Sequence, residues 1–103
     1  LSAQFSVAVP NEITGCTPKG SNNGSECISL KQHPGAECYG SKDSHTVDVI
    51  RQATTEACEN ACLSHACTAV ELNLLNPASP SCKIMTGEVT ASPRLGFICY
   101  TAH

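Results

Sequence analysis

Apolar and polar positions change their rhythm along this chain near Gly35. Ahead of it, residues 11–35 hold few periodic apolar positions. Gly15, Pro18, Gly20, Gly24 and Pro34 surround the polar run Ser21-Asn22-Asn23-Gly24-Ser25-Glu26, a composition that predicts loop. Only Gln4 to Val9, with Phe5, Val7 and Val9 on one face, has the alternation of an edge strand. From Ala36 the pattern tightens. Cys38-Tyr39 falls in a first strand. Thr46 to Arg51 alternates, Val47 and Val49 against Asp48, as a half-buried strand does. Thr54-Thr55 supplies a helix N-cap, and Glu56 and Glu59 put carboxylates near the helix N-terminus, where the dipole favours them. Glu56 to His65 lacks Gly and Pro, and Cys58, Ala61, Cys62 and His65 share one helical face. The helix is expected to stop near Ala66.

Beyond it, Thr68, Val70 and Leu72 alternate with Ala69, Glu71 and Asn73, and the β-branched residues mark a strand. Asn76-Pro77-Ala78-Ser79-Pro80 is turn. Ser81 to Met85 and Leu95 to Tyr100 are two more short strands, with Gly87 to Pro93 as the loop between them. Strands, one helix, then strands predict an α+β domain with a single helix packed on a small antiparallel sheet. Residues 1–35 read as an N-terminal extension and residues 36–103 as the module itself.

The cysteines decide what kind of α+β domain this is. There are eight in 103 residues, five of them spaced C-x3-C-x4-C-x14-C-x16-C from Cys58 to Cys99, after Cys16, Cys27 and Cys38. An even count at this density is a disulfide framework and places the chain in an oxidising, extracellular setting. Cys16 and Cys27 lie close enough for a local bridge across the polar run; spacing alone leaves the other pairings open. Four cross-links matter because Phe5, Tyr39, Phe97 and Tyr100 are the only aromatics. The core must rest on Val, Ile, Leu and Ala with the cystines.

Charge excludes more than it suggests. The formal net charge is −3, and the six Lys and Arg are scattered singly, so no basic patch faces a row of phosphates and nucleic acid is not an expected partner. No apolar stretch approaches the roughly 20 residues that span a bilayer, so membrane insertion is not expected. Leu1 to Pro10 is mixed and does not read as a signal peptide, as in a mature secreted protein or an excised module. Asn23-Gly24-Ser25 is an N-glycosylation sequon, with Asn23 as the acceptor.

Catalytic and metal chemistry find little footing. Cys58, Cys62, His65 and Cys67 would sketch a zinc site, but no second ligand pair follows and disulfides use the same cysteines more simply. Cys58 and Cys62 are one residue too far apart for a thioredoxin-type pair. Asp43-Ser44-His45 has the residue types of a triad, but triad members converge in space from separate parts of a chain. His33 and His103 have no ligand-type partner at helical spacing. The chain is therefore expected to be no enzyme and to need no cofactor and no metal.

The segment from Glu37 to Tyr100 resembles a PAN/apple module. Ala36-Glu37-Cys38-Tyr39-Gly40 opens it, Thr55-Glu56-Ala57-Cys58-Glu59-Asn60-Ala61-Cys62-Leu63 matches the helix with its C-x3-C, Cys67-Thr68-Ala69-Val70-Glu71-Leu72 matches the next strand, Cys82-Lys83-Ile84-Met85 the one after, and Cys99 closes it. The resemblance implies the pairs Cys38–Cys99, Cys58–Cys82 and Cys62–Cys67, which leaves Cys16–Cys27 to the extension. The extension departs from the family pattern, as do Val70 and Leu72 where the family often has an aromatic. Apple modules are adhesion units that bind proteins or carbohydrates, often in tandem, in coagulation and plasminogen-related proteins and in the microneme adhesins of apicomplexan parasites. Small Ala/Ser-rich modules with eight cysteines bring the likeness nearest the adhesin group.

The expected function is thus a non-catalytic, secreted adhesion module for a protein partner, within a tandem adhesin that is stored in a secretory organelle such as the microneme. An alternative is a galactose-type lectin module for a host-cell glycan. Its site would combine the polar residues Lys83 and Glu71 with the aromatic rings of Tyr39, Tyr100 and Phe97. A further alternative is a secreted enzyme inhibitor that docks the loop Asn73 to Ser81.

Overall fold

The computed structural model describes residues 9–18, 25–76 and 78–102, which form six strands and one helix. In chain order these are β1 (Glu12–Pro18), β2 (Ser25–Gly40), β3 (His45–Arg51), α1 (Thr55–His65), β4 (Ala69–Asn73), β5 (Ser81–Thr86) and β6 (Val89–Thr101). All the pairings are antiparallel, and the strands join one sheet in the order β1-β2-β6-β4-β5-β3. One helix against a curled antiparallel sheet places the domain in the α+β class. The expected strand over Gln4 to Val9, except Val9 itself, lies outside the described residues, as do Asn23, Pro77 and His103.

The helix forms where its caps dictate. Thr54 is extended, and its hydroxyl accepts from the Ala57 N–H at 3.1 Å, satisfying one of the unpaired donors of the first turn. Ala66 ends the helix in the left-handed region (φ 51°, ψ 52°), and the Cys67 N–H returns to the Cys62 carbonyl at 2.9 Å. The Cys62–Cys67 disulfide spans this turn. Cys58 and Cys62 are buried on the sheet side. His65, expected on the same face, is instead exposed at the helix end, 3.9 Å from Asp48, because the last turn overhangs edge strand β3.

Strand structure extends well beyond what the sequence predicts. The described residues in the range 11–35 are mostly strand: β1 and the first half of β2 form a ladder from Glu12↔Lys31 to Pro18↔Ser25, with Cys16 opposite Cys27 and bonded to it. The far edge of β2 pairs with β6, and Ile13 and Leu30, register partners at 2% exposure each, enter the core. Ladder hydrogen bonds on both sides of β2 outweigh its turn-forming composition. The expected loop from Gly87 to Pro93 is likewise mostly β6, held by residues 36–40 of β2. In β3 the faces are inverted: Val47 and Val49 are exposed (38% and 46%), while Asp48 and Ile50 turn toward the helix side. The register shift between Thr46 and Asp48 is a bulge that gives Val47 no partner and sets which face follows.

The longest ribbon, β2 with β6, folds back on itself. Cys99 pairs in register with His33, and Cys38 pairs with Ala91. Five residues of strand separate His33 from Cys38, about 16 Å if straight. Yet the Cys38 and Cys99 Cα atoms are 5.1 Å apart and their sulfurs are bonded. The bend lies where the register shifts between Pro34 and Ala36, at Gly35, whose φ of 66° suits glycine. Residues 36–40 and 89–93 are thereby laid over the face of β4 opposite the helix. The position at which the sequence changes rhythm thus lies within β2.

Two interiors result. The helix side holds Ile13, Leu30, Val70, Leu72, Ile84, Ile98 and Tyr100 around Cys58, Cys62, Cys67 and Cys82. The ribbon side holds Ala36, Cys38, Ala69, Met85 and Cys99. Central strand β4 has both faces covered, so its alternation does not separate a wet from a dry side. The remaining disulfide, Cys58–Cys82, ties the helix to β5, so the bonds are the pairs that the resemblance implies.

Candidate functional site

At the end of the sheet where Asn73 pairs with Phe97, two leucines face solvent. Leu75 is 61% exposed and Leu95 88%. Leu75 follows β4, and its N–H donates to the Asn73 side-chain oxygen at 2.9 Å; three residues on, the Ala78 N–H donates to the Asn76 side chain at 3.2 Å. These Asx turns fix the loop without a core of its own. Leu95 sits on the segment of β6 that bulges out between the two stretches paired with β2. The bulge is joined to the loop by a hydrogen bond from the Leu74 N–H to the Gly96 carbonyl at 2.8 Å. Gly96, at φ 89°, leaves room for Leu75, whose side chain would collide with any Cβ there. Beside the leucines, the Arg94 guanidinium lies 4.3 Å above the Phe97 ring and donates to Glu37 at 2.9 Å. The loop and the bulge, joined backbone to backbone, thus each expose one leucine, and the cation next to Leu95 in the chain is held in place by Phe97 and Glu37.

The four residues expected to bind a ligand do not form one site. Glu71 is 8% exposed and lies on the ribbon side. One carboxylate oxygen accepts from the Cys38 N–H at 2.8 Å, and the other is 3.5 Å from Lys83 Nζ. The Lys83 side chain is 35% exposed beside it. Tyr39 is the neighbour of inward-facing Cys38 on a strand, so it points the other way, into solvent, at 64% exposure. Tyr100, the last residue of the strand that the sequence predicts over Leu95 to Tyr100, is 1% exposed on the helix side, because β6 continues past it and β4 and β2 flank it. Its hydroxyl donates to the Pro10 carbonyl at 2.8 Å, an oxygen that Gln32 also reaches at 3.2 Å. Burial raises its pKa above 10.0, against a smaller lowering by the Gln32 hydrogen bond. The structure therefore brings Glu71 and Lys83 together and leaves Tyr39 and Tyr100 apart from them.

The opposite end of the sheet has a cleft of about 250 Å³ lined by Thr68, Gly87, Glu88, Val89, Thr90, Thr101 and Ala102. The Thr68 hydroxyl is committed to the Gly87 carbonyl at 2.7 Å, and among the described residues no aromatic ring lines the cleft. Among the described residues no group of three or more His, Cys, Asp or Glu is placed to hold a metal ion. Asp43 and Ser44 occupy the turn before β3, where Ser44 donates to the Ser41 carbonyl at 2.7 Å, and His45 begins the strand. Among the described residues no helix is long and apolar enough to cross a membrane.

The leucine pair was not legible in advance. Leu75 lies in the loop singled out for its exposure, but Leu95 reads as the first residue of a strand; only its place between Arg94 and Gly96 hints at a bulge. Compared with known protein families, curated proteins and solved structures, the chain matches none of them. Four intramolecular disulfides are typical of extracellular proteins.

Proposed function

We propose that this chain is a non-catalytic extracellular binding module that engages a protein partner through Leu75 and Leu95. The observation that carries the reading is the exposure of two large apolar side chains, Leu75 on the loop after β4 and Leu95 on the β6 bulge, on segments joined by the Leu74–Gly96 hydrogen bond, with Arg94 next to Leu95 in the chain. An apolar centre with a polar rim that includes Arg is the composition of protein interfaces. A backbone held by Asx turns and a cation held by a ring and a carboxylate lose little freedom on binding. The likeness of residues 37–100 to apple modules supports an adhesin-type role and presentation in tandem, where weak single sites add up to avidity. A glycan reading is less favoured, since no described residue that lines the cleft offers a ring for a sugar to stack on.

The test uses the purified chain, clustered on a fluorescent carrier, against a panel of cells. Protease treatment of the cells is expected to abolish staining and glycosidase treatment to leave it. Leu75→Asp with Leu95→Asp should remove staining at unchanged melting temperature. Staining lost to free sugars or to glycosidase, or retained by the double variant, overturns the reading.

A further inference from the structure

The outer edge of β3 is the second surface that this fold leaves open. β3 is last in the sheet order and pairs only with β5, so the N–H and C=O groups on its other side have no strand beside them among the described residues. Natural edge strands are blunted by Pro, Lys or brevity. This one is seven residues long, His45–Arg51, with neither, and its one bulge lies near its start, leaving Asp48 to Arg51 in regular pairing. The opposite edge, β1, shows solvent the polar Glu12 and Thr14, and its one large apolar residue, Ile13, is buried. β3 shows solvent Val47 and Val49.

The charges along β3 say what kind of strand fits. Register pairs Val49 with Lys83 and Arg51 with Ser81 on the ribbon side of the sheet. Arg51 is exposed and has no ion pair among the described residues, whereas Lys83 and Arg94 are both taken, by Glu71 and Glu37. A strand laid against this edge would put one side chain next to Val49 and, two residues along, one next to Arg51. Cross-strand neighbours of matched apolar and opposite charge character are the favourable ones. We infer that β3 is a docking edge for an extended segment of a partner protein that alternates apolar and acidic side chains on one face and continues the sheet as a seventh strand. Main-chain hydrogen bonds supply affinity in such β-augmentation, and alternate side chains supply selectivity. The inference does not rest on the leucine surface, which lies on the loop after β4 and the β6 bulge.

The experiment titrates the isotope-labelled chain with two blocked synthetic peptides, one repeating Val-Thr-Glu-Thr and the other Val-Thr-Lys-Thr, so that valine alternates with glutamate or with lysine on one face of the strand. The glutamate peptide is expected to shift the amide resonances of residues 45–51 and their β5 partners, and to slow hydrogen exchange along β3. The lysine peptide should bind about fivefold more weakly, and Arg51→Glu should invert that order. Val49→Lys should abolish the response, and Leu75→Asp with Leu95→Asp should leave it intact. The inference is overturned by an absence of shifts in residues 45–51 at millimolar peptide, by equal responses to the two peptides, or by indifference to Arg51→Glu. Self-association of the chain that vanishes in Val49→Lys would also overturn it, by making a second copy the occupant.

Discussion

β4 and β6 alternate between two interiors that are closed by different means. On the helix side Val70, Leu72, Ile98 and Tyr100 meet Ile13, Leu30 and Ile84, large side chains that each contribute about 1.5–3 kcal/mol by leaving water. The two disulfides there span only 24 and 5 residues and fasten the helix to a surface that is already apolar. On the ribbon side the covered residues are Ala36, Ala69 and Met85, which offer far less area. That side is held by a disulfide across 61 residues and by the Glu71 carboxylate, which takes the Cys38 N–H as though it were a strand partner. Where apolar area runs short, a covalent link and a satisfied buried charge replace it.

The sharpest way to break the comparison is to cut one disulfide on each side. Replacing Cys38 and Cys99 by Ser should cost about 4 kcal/mol and replacing Cys58 and Cys82 about 3, from the loop lengths they close. The urea midpoint measures both. Hydrogen exchange measures where: the first variant should lose protection over residues 36–40 and 89–93, the second over the helix and β5. Loss over the same residues in both variants would mean that the two interiors open as one.

The next effect is polar. Glu71→Ala leaves the Cys38 N–H buried without an acceptor and should cost about 1–3 kcal/mol. Glu71→Gln keeps an acceptor and should cost less. Lys83→Met should cost under about 1 kcal/mol, because a partly exposed ion pair is screened by solvent. Denaturant titration of the three variants gives the order; a Lys83 variant as damaging as Glu71→Ala would make the ion pair, and not the amide contact, the fastening on this side.

Which parts of this were legible in the sequence follows from how local their causes are. The helix was readable from Thr54 to His65 because its cap and carboxylates lie within one turn of the groups they satisfy. The ribbon was not. Nothing near Gly35 announces that residues 31–34 and 36–40 pair with two separated stretches of β6, and Pro34 and Gly35 argue locally against a strand. The inverted faces of β3 have the same origin, since one bulge at Val47 shifts every side chain after it. For the site, Glu71 and Lys83 were readable as polar candidates beside the sheet, but their pairing across β4 and β5, and the register that buries Glu71 under Cys38, depend on the fold of the sheet and ribbon. Tyr100 reads as a strand end because only Thr101, Ala102 and His103 follow it, and the pairing of Thr101 with Lys31 that carries β6 past it depends on the ribbon.

A smaller effect, of opposite sign, belongs to the helix side. Ala66 holds the left-handed conformation that glycine adopts without a Cβ penalty. Ala66→Gly should therefore stabilise the chain by about 0.5–1 kcal/mol, seen as a higher urea midpoint. A decrease would show that the freedom glycine adds to the unfolded chain outweighs the strain it relieves, even inside the loop that the Cys62–Cys67 bridge closes.

The smallest effect appears only in alkali and also belongs to the helix side. The buried Tyr100 phenol is held neutral, with its pKa above the 10.0 of an unfolded chain. The unfolded state therefore releases its proton first as pH rises, and stability falls through that range. The contribution is full below pH about 10 and is lost as pH rises through the higher, folded value. Since the chain has two tyrosines, a Tyr39→Phe variant leaves Tyr100 as the only phenol to follow. Its phenolate absorbance should appear above pH 10 in the folded protein and near 10 in denaturant, and the urea midpoint should begin to fall in the same interval. Tyr100→Phe, which removes the hydrogen bond to Pro10, should cost about 1 kcal/mol or less at neutral pH and flatten that alkaline decline. A decline of equal steepness in Tyr100→Phe would assign the alkaline loss to groups other than this phenol.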